Sequence, residues 1–418
     1  MGRHMLRRTP LRQGFADSAG RGNGWRMRRP TLAYLRTESG AGLIIGIAAL
    51  AALAIANSRL AGPYFALLAE PVRFQIGGFV ETLSLAAWAR ALLMPVFFLT
   101  LGMQLKFETL RGALSSPRRQ GLAALAALGG LVGPALVYLA FCRGPAPGWS
   151  SGFGVGFATD GALALAILAV GAPRLTPSLR VLMMAVALAD DVAADVVAAV
   201  LSPGRLDPQM LLGAVVVLAG LALLSRWRRA PFLFYAAGFV AVWGFAIKSG
   251  LDASLAGLAS AFTVPVGARR PGQQSTLKYF MDSLHPYVAF AVLPLFVLTE
   301  TGISAHRALL AGLATPVPLA ILAALAIGKP LGVFGFCAAG IGLRLVRRPM
   351  GARWGEIGAV SVLTGVSVAV GSFVAGVDIG SPAAEAAVLL ASALTALVGG
   401  GLLAWTQQSR ADETVDPG

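Results

Sequence analysis

Long apolar segments alternate with short polar breaks from Gly40 onward, and this alternation constrains the fold more than any other feature of the chain. Each segment is close to the roughly 20 residues that an α-helix needs to cross a bilayer. The segments are 41–57, 89–104, 121–142, 152–171, 181–201, 209–225, 231–247, 250–265, 287–303, 317–343, 357–376 and 384–405. The pattern predicts an all-α polytopic membrane protein with about twelve transmembrane helices.

The composition agrees with a membrane protein and argues against a soluble one. Hydrophobic residues make up 56% of the 418 and charged residues only 13%, whereas soluble chains carry about 25% charged residues. So few polar side chains cannot cover the surface of a soluble protein of this length. The two cysteines, Cys142 and Cys337, lie in apolar surroundings, which predicts packing residues rather than a disulfide or a metal site.

A net charge of +15 could indicate nucleic-acid binding, but the charge is spread between the apolar segments. If the N-terminus lies inside, most of the 34 Lys and Arg residues fall on the inner side, as the positive-inside rule requires. The charge therefore indicates membrane topology, with both termini in the cytoplasm and no nucleic-acid partner. Residues 1–36 are predicted to be a basic, disordered arm, 37–405 the transmembrane domain and 406–418 a cytoplasmic tail.

With this topology, the segment trios at 121–201 and 317–405 have opposite orientations in the membrane. The middle segment of each trio, 152–171 and 357–376, is rich in glycine. Paired glycine-interrupted segments in opposed halves are typical of inverted-topology repeats with two discontinuous helices. Ordinary glycine-mediated helix packing is the alternative interpretation.

Five ionisable residues lie well inside the apolar segments of these two trios, where charge is costly and usually functional. Asp160 lies in the fourth segment, Lys329 lies near the middle of the tenth, and the fifth carries Asp190, Asp191 and Asp195. Asp195 is one turn beyond Asp191, so it either shares that face or belongs to a polar funnel toward the outside. The clustering predicts an ion site in the membrane.

These residues permit exchange of a cation for protons. Carboxylates are hard oxygen ligands suited to small alkali cations, while burial and a neighbouring like charge favour their protonated form. A carboxylate pair such as Asp190 and Asp191 therefore holds either protons or a cation, and such competition at an alternately exposed site is sufficient for antiport. The Thr159 hydroxyl and backbone carbonyls at a helix break are able to complete the shell. Lys329 is able to neutralise one carboxylate when no cation is bound.

Other charged residues give weaker predictions. The segment 64–85 mixes charged with apolar residues, which favours an interfacial hairpin or a short helix over a membrane span. Glu300 and Asp252 stand at segment ends and are predicted to be solvated. His285 precedes Pro286 at a segment start, where a structural role is favoured over a proton sensor.

Three charged motifs and their order along the chain carry a family resemblance. They are FATD at 157–160, ALADD at 187–191 and GKPLG at 328–332, with further matches at 95–102, 248–257 and 284–286. Together they resemble the signature of the NhaA family of sodium/proton antiporters, in order from about residue 37 to 405. The resemblance implies twelve helices, of which the fourth and eleventh are broken and cross each other.

The resemblance also implies a role for each motif residue. Asp191 would be the main ligand of the Na⁺ ion and Asp190 the partner of Lys329. Asp160 and Thr159 would stabilise the crossing of the two broken helices.

The chain departs from the family pattern at several positions. Gln104 and Met281 stand where glutamates are usual, Asp252 replaces a histidine, and Arg90, in the outside loop before the second segment, replaces an acid. Gln104 and Asp195 are candidate funnel residues. The departures leave the core exchange chemistry intact and affect its regulation and the path of the ion.

The sequence therefore predicts a secondary transporter, not an enzyme, that exchanges Na⁺ or Li⁺ for protons across a bacterial inner membrane without a cofactor or catalytic residue. It leaves the oligomeric state open, with a homodimer as one candidate. The alternative is a transporter of the same fold for another cation or for a cation-coupled organic substrate. An intramembrane aspartyl protease is disfavoured because Asp190 and Asp191 are adjacent and no Gly-x-Gly-Asp segment occurs. A non-transporting scaffold would leave Lys329 unexplained.

Overall fold

The computed structural model describes residues 38–77, 79–142, 153–157, 159–172, 175–201, 206–226, 231–267, 275–302, 312–349, 351–368 and 382–415. For residues 38, 39, 76, 195, 197–201, 382 and 410–415 only the backbone is described. The predicted arm at 1–36 and part of each glycine-rich segment lie outside these ranges.

Helices account for most of the described chain. In order, the elements are α1 (Glu38–Ala56), α2 (Ala61–Ala69), β1 (Pro71–Ile76), β2 (Phe79–Ser84), α3 (Leu85–Arg111), α4 (Pro117–Phe141), α5 (Gly161–Gly171), α6 (Pro177–Leu201), α7 (Pro208–Leu224), α8 (Phe232–Ser249), α9 (Ser254–Thr263), α10 (Thr276–Tyr287), α11 (Leu293–Glu300), α12 (Pro316–Ala323), α13 (Lys329–Gly342), α14 (Trp354–Leu363) and α15 (Pro382–Val415). Every predicted apolar segment contains at least part of a helix.

Within the described ranges, six helices are long and apolar enough to cross a membrane, or seven if α1 and α2, bent by 108°, count as one span. The six are α3, α4, α8, the continuous run Thr276–Glu300, the run Pro316–Gly342, and most of α15. Large apolar side chains on their outer faces are exposed, for example Leu233 at 73% and Leu397 at 76%, as expected of surfaces that face lipid. The chain is therefore a polytopic membrane protein. The predicted count of twelve transmembrane helices stays a prediction.

Residues 61–84 form a short helix followed by an antiparallel hairpin, with Pro71 opposite Ser84. Gly77 lies in the connecting turn with φ of 56°, a left-handed conformation that glycine adopts without strain. The indole N–H of Trp88 donates to the Val72 carbonyl at 2.8 Å and holds the hairpin on α3. Both a short helix and a hairpin, the two alternatives predicted for this segment, are therefore present. The described chain is mostly helical, as predicted, and this two-stranded hairpin is the sheet that the described residues contain.

Helix α3 begins at Leu85, where the Ser84 side chain caps its N-terminus, four residues before the predicted start of the second segment. Arg90, predicted in an outside loop, therefore lies inside a helix. It pairs with Glu300 at the end of α11, and only 16% and 7% of these two side chains are exposed. The prediction that Glu300 is solvated is wrong, because the guanidinium offsets the cost of burying its charge. Asp252 is exposed, as predicted.

Two helical runs each contain a π-helical turn just before a proline. Val288–Val292 precedes Pro294, and Ala324–Gly328 precedes Pro330. Proline lacks an N–H and its ring displaces the carbonyl one turn earlier, so the wider turn lets the helix continue. The second π turn leads directly into Lys329, the first residue of α13.

The largest cluster of buried apolar side chains brings together helices that are far apart in sequence. It includes residues of α1, α3, α4, α5, α6, α11, α13, α14 and α15. The closest helix pairs are α4 with α13 and α3 with α9. This packing brings together α5, α6, α13, α14 and the short segments directly before or after them. Most of the predicted site residues lie on these elements.

Candidate cation and proton site

Lys329 and Asp190 form an ion pair in the interior of the helix assembly. Nζ of Lys329 lies 3.0 Å from Oδ2 of Asp190, and neither side chain has any exposed surface. The ammonium also donates to the Phe157 carbonyl at 2.6 Å. A buried charge is tolerated when it is paired and hydrogen-bonded, so this neutral unit ties α6 and α13 to the segment before α5.

The described residues of that segment, 157, 159 and 160, are not helical, and they lie directly before α5. Asp160, 3% exposed, is the N-cap of α5, and its Oδ1 accepts from the Leu163 N–H at 3.1 Å. The carboxylate thereby satisfies a helix N–H that has no partner within the helix and complements the positive end of the helix dipole.

The Thr159 hydroxyl lies between two acceptors, 2.7 Å from Oδ2 of Asp190 and 3.0 Å from the Thr364 carbonyl. A hydroxyl has one hydrogen and two lone pairs. It can donate to an ionised Asp190, or accept from a protonated Asp190 while it donates to Thr364. The contact therefore serves both protonation states of the carboxylate.

A second break follows α14, and it touches the first. Helix α14 ends at Leu363, and residues 364–367 are not helical. The backbone N–H of Asp160 donates to the Val366 carbonyl at 2.7 Å, alongside the contact from Thr159 to Thr364. Each break exposes backbone groups that cannot be left unpaired in a membrane, and here each provides partners for the other.

Glycines at both breaks also take part in close packing. A Cβ at Gly161 would lie 2.9 Å from Cβ of Ala187 on α6, and a Cβ at Gly365 would overlap the carbonyl oxygen of Leu325. Glycine-mediated packing, the alternative interpretation of these segments, therefore applies at both positions.

Asp191 follows Asp190 on α6 but has a different environment. Successive helical residues point about 100° apart, and Asp191 keeps 9% of its surface exposed while Asp190 keeps none. Lys329 lies within Coulombic range of both. Asp195 is on the same face of α6 as Asp191, one turn on, but its side chain lies outside the described part of the structure.

Gln104 lines a cavity of about 180 Å³ between α1, α3, α5, α6 and the α10–α11 run. The lining is mostly apolar, and Arg180 and His285 contribute charged or titratable groups to it. Met281 also lies on the wall, as does Ala162, close to the break. Arg180 was not predicted as a site residue, because a single arginine near a helix end carries no signal of a cavity wall.

The chain is similar over most of its length to proteins of one known family. The family model described as Na⁺/H⁺ antiporter 1 matches residues 32–403. The Na⁺/H⁺ antiporter NhaA of Pasteurella multocida (strain Pm70) is 34% identical over 378 residues, which cover 90% of this chain and 99% of the relative. The Na⁺/H⁺ antiporter NhaA of Vibrio parahaemolyticus is 35% identical over 386 residues, which cover 91% and 98%. NhaA 2 of Shewanella denitrificans is 36% identical over 342 residues, which cover 82% and 85%.

Proposed function

Because the chain belongs to the Na⁺/H⁺ antiporter 1 family, it is a Na⁺/H⁺ antiporter, and we propose that exchange takes place at Asp190 and Asp191 with Lys329 as the compensating charge. The observation that carries this assignment is the ion pair of Lys329 with Asp190, with no exposed surface, beside two contacting helix breaks. A charge pair in such a place is costly to build and is expected at a functional site.

In the proposed cycle, protons and a cation compete for the same carboxylates. Asp191, the more accessible of the two, is the main Na⁺ ligand, and Asp190 takes part while it remains in contact with Lys329 and Thr159. When Na⁺ leaves, a proton neutralises Asp191, so the buried charge stays balanced in both states. Backbone carbonyls at the breaks are available as further oxygen ligands. Li⁺, a smaller alkali cation, is expected to bind the same oxygen set.

The breaks before α5 and after α14 fit a crossing of two discontinuous helices. The direct contacts of Thr159 and Asp160 with the carbonyls of Thr364 and Val366 support this. In this proposal 121–201 and 317–405 are inverted repeats within a twelve-helix transmembrane domain at 37–405. The crossing brings Asp160 and Thr159 to the middle of the membrane.

The proposed location is a bacterial inner membrane with both termini in the cytoplasm, which the distribution of Lys and Arg supports. Residues 1–36 and 406–418 are then a cytoplasmic arm and tail. Gln104 and Asp195 are assigned to polar funnels on the two sides of the site. A homodimer is part of the proposal, because the sheet of the described residues has only two strands, β1 and β2, and open strand edges pair readily with another chain.

Transport by the purified protein in proteoliposomes tests this function. We expect added Na⁺ to collapse a preset pH gradient, while K⁺ at the same concentration has little effect, because exchange moves protons only when Na⁺ moves the other way. Absence of a Na⁺-evoked collapse in vesicles that hold folded protein would contradict the function.

The pH dependence of exchange should follow from competition alone. Since protons and Na⁺ occupy the same carboxylates, the KM for Na⁺ should rise steadily as the pH falls, while Vmax at saturating Na⁺ changes little. Gln104 and Met281 do not titrate, so they cannot add a switch of their own. Rates measured over Na⁺ concentration at several pH values check this expectation.

A sharp change of Vmax with pH at saturating Na⁺ would contradict simple competition. His285, on the cavity wall, would then be the first candidate for a separate sensor. The His285→Gln variant would in that case lose the change in Vmax.

A further inference from the structure

The closest approach of α4 to α13 is a contact between glycines. Gly129 and Gly133 lie one turn apart on α4 and face Gly328 and Gly332 at the start of α13. A Cβ at Gly129 would overlap the carbonyl oxygen of Gly332, and a Cβ at Gly133 that of Gly328. The two backbones touch only because none of these residues has a side chain.

This contact fixes the position of Lys329, which follows Gly328 directly. A methyl group at Gly133 would have to move the helices apart by about 1 Å, because carbon and oxygen atoms approach no closer than about 3.3 Å. Because Lys329 moves with α13, such a shift changes the position from which its ammonium makes the 3.0 Å contact with Asp190.

The neighbouring residue, Gly130, faces the other partner of the ion pair. A Cβ at Gly130 would lie 3.0 Å from Oδ1 of Asp190 and 3.5 Å from Oδ2, and the first distance requires the carboxylate to shift by a few tenths of an ångström. Oδ2 is held at 2.7 Å by Thr159 and at 3.0 Å by Lys329. The carboxylate must therefore either turn about Oδ2 or move Oδ2 away from these two partners, and in both cases its orientation changes.

We propose that Gly129, Gly130 and Gly133 are positioning residues of the exchange site: α4 sets the distance between Lys329 and Asp190 and the orientation of the Asp190 carboxylate. The inference rests on the proposed function, since it takes this ion pair as part of the exchange site. The glycines act through Asp190 and Lys329 and do not touch the cation.

The Gly130→Ala variant tests the orientation of the carboxylate. We expect the KM for Na⁺ to rise about tenfold, the equivalent of about 1.4 kcal/mol of cation binding, with Vmax and thermal stability close to wild type. Gly335→Ala on α13 is the matched control, because a Cβ there meets nothing within 4 Å, and it should leave KM unchanged. A KM for Gly130→Ala within twofold of wild type, or an equal change in Gly335→Ala, would overturn the inference.

The Gly133→Ala variant tests the spacing of the helices. Its loss of thermal stability should be smaller in a Lys329→Ala background than in wild type, because the ion pair that it strains is then already absent. Additive effects of the two substitutions would overturn the spacing role, since independent sites add and coupled sites do not. If Gly133→Ala does not fold, Gly130→Ala decides the inference.

The Asp190→Asn variant, measured in the same vesicles, separates this inference from the proposed function. Normal exchange by both Asp190→Asn and Asp191→Asn would overturn the site assignment itself. Loss of exchange in Asp190→Asn together with wild-type behaviour of Gly130→Ala would overturn only the positioning role.

Discussion

Asp191→Asn is expected to abolish Na⁺/H⁺ exchange while the protein remains folded in the membrane. An asparagine amide neither takes up a proton nor supplies the negative charge that a buried Na⁺ needs. Leaving a buried charge uncompensated costs roughly 3–5 kcal/mol, and each 1.4 kcal/mol is a factor of ten, so the rate should fall by at least about two orders of magnitude. Asp190→Asn should be severely impaired for the same reason and because Lys329 loses its partner. Na⁺-evoked collapse of a pH gradient in proteoliposomes measures both.

Glu70→Gln is the matched control for these variants. Glu70 is an exposed acid between α2 and β1, so the same chemical change there should leave exchange unaltered. Near-normal transport by both Asp190→Asn and Asp191→Asn would refute the assignment of the site to α6.

Lys329→Ala is expected to lower the free energy of unfolding by roughly 3–5 kcal/mol, because it leaves the Asp190 carboxylate buried without a counter-charge. Exchange should change as well. The loss of stability should shrink as the pH falls, since a proton can then neutralise Asp190 in place of the ammonium. Thermal unfolding in detergent at several pH values measures both effects.

Two further variants isolate the cause. Lys248→Ala removes the Lys248–Glu81 pair, whose side chains are 32% and 23% exposed, so it should cost about 1 kcal/mol or less. The double variant Lys329→Met/Asp190→Leu leaves no buried charge and should regain much of the stability lost by Lys329→Ala. A Lys329→Ala protein as stable as wild type would mean that the ammonium reaches water and is not the buried partner of Asp190.

The sequence by itself determined the class of the protein, the approximate places of its helices and the residues that carry its charge inside the membrane. Apolar length is a local property, and a run near 20 apolar residues has few alternatives to a membrane helix. An ionisable residue inside such a run, such as Asp160 or Lys329, is likewise visible without any structure. Placing its charge in the bilayer costs free energy, so its presence there indicates a function. The three charged motifs, in their order along the chain, also indicated the family.

Only the tertiary structure decided which of these groups touch. Arg90 and Glu300 are 210 positions apart, and nothing local to either predicts a buried pair rather than two solvated charges. The hydrogen-bond acceptors that the two breaks offer to Lys329 and Thr159 are backbone carbonyls. Every residue has one, so these contacts leave no signature in a sequence. Gly130 and Gly133 resemble any other glycines of an apolar helix. Their role depends on the distance between two helix axes, and the packing of the whole assembly sets that distance.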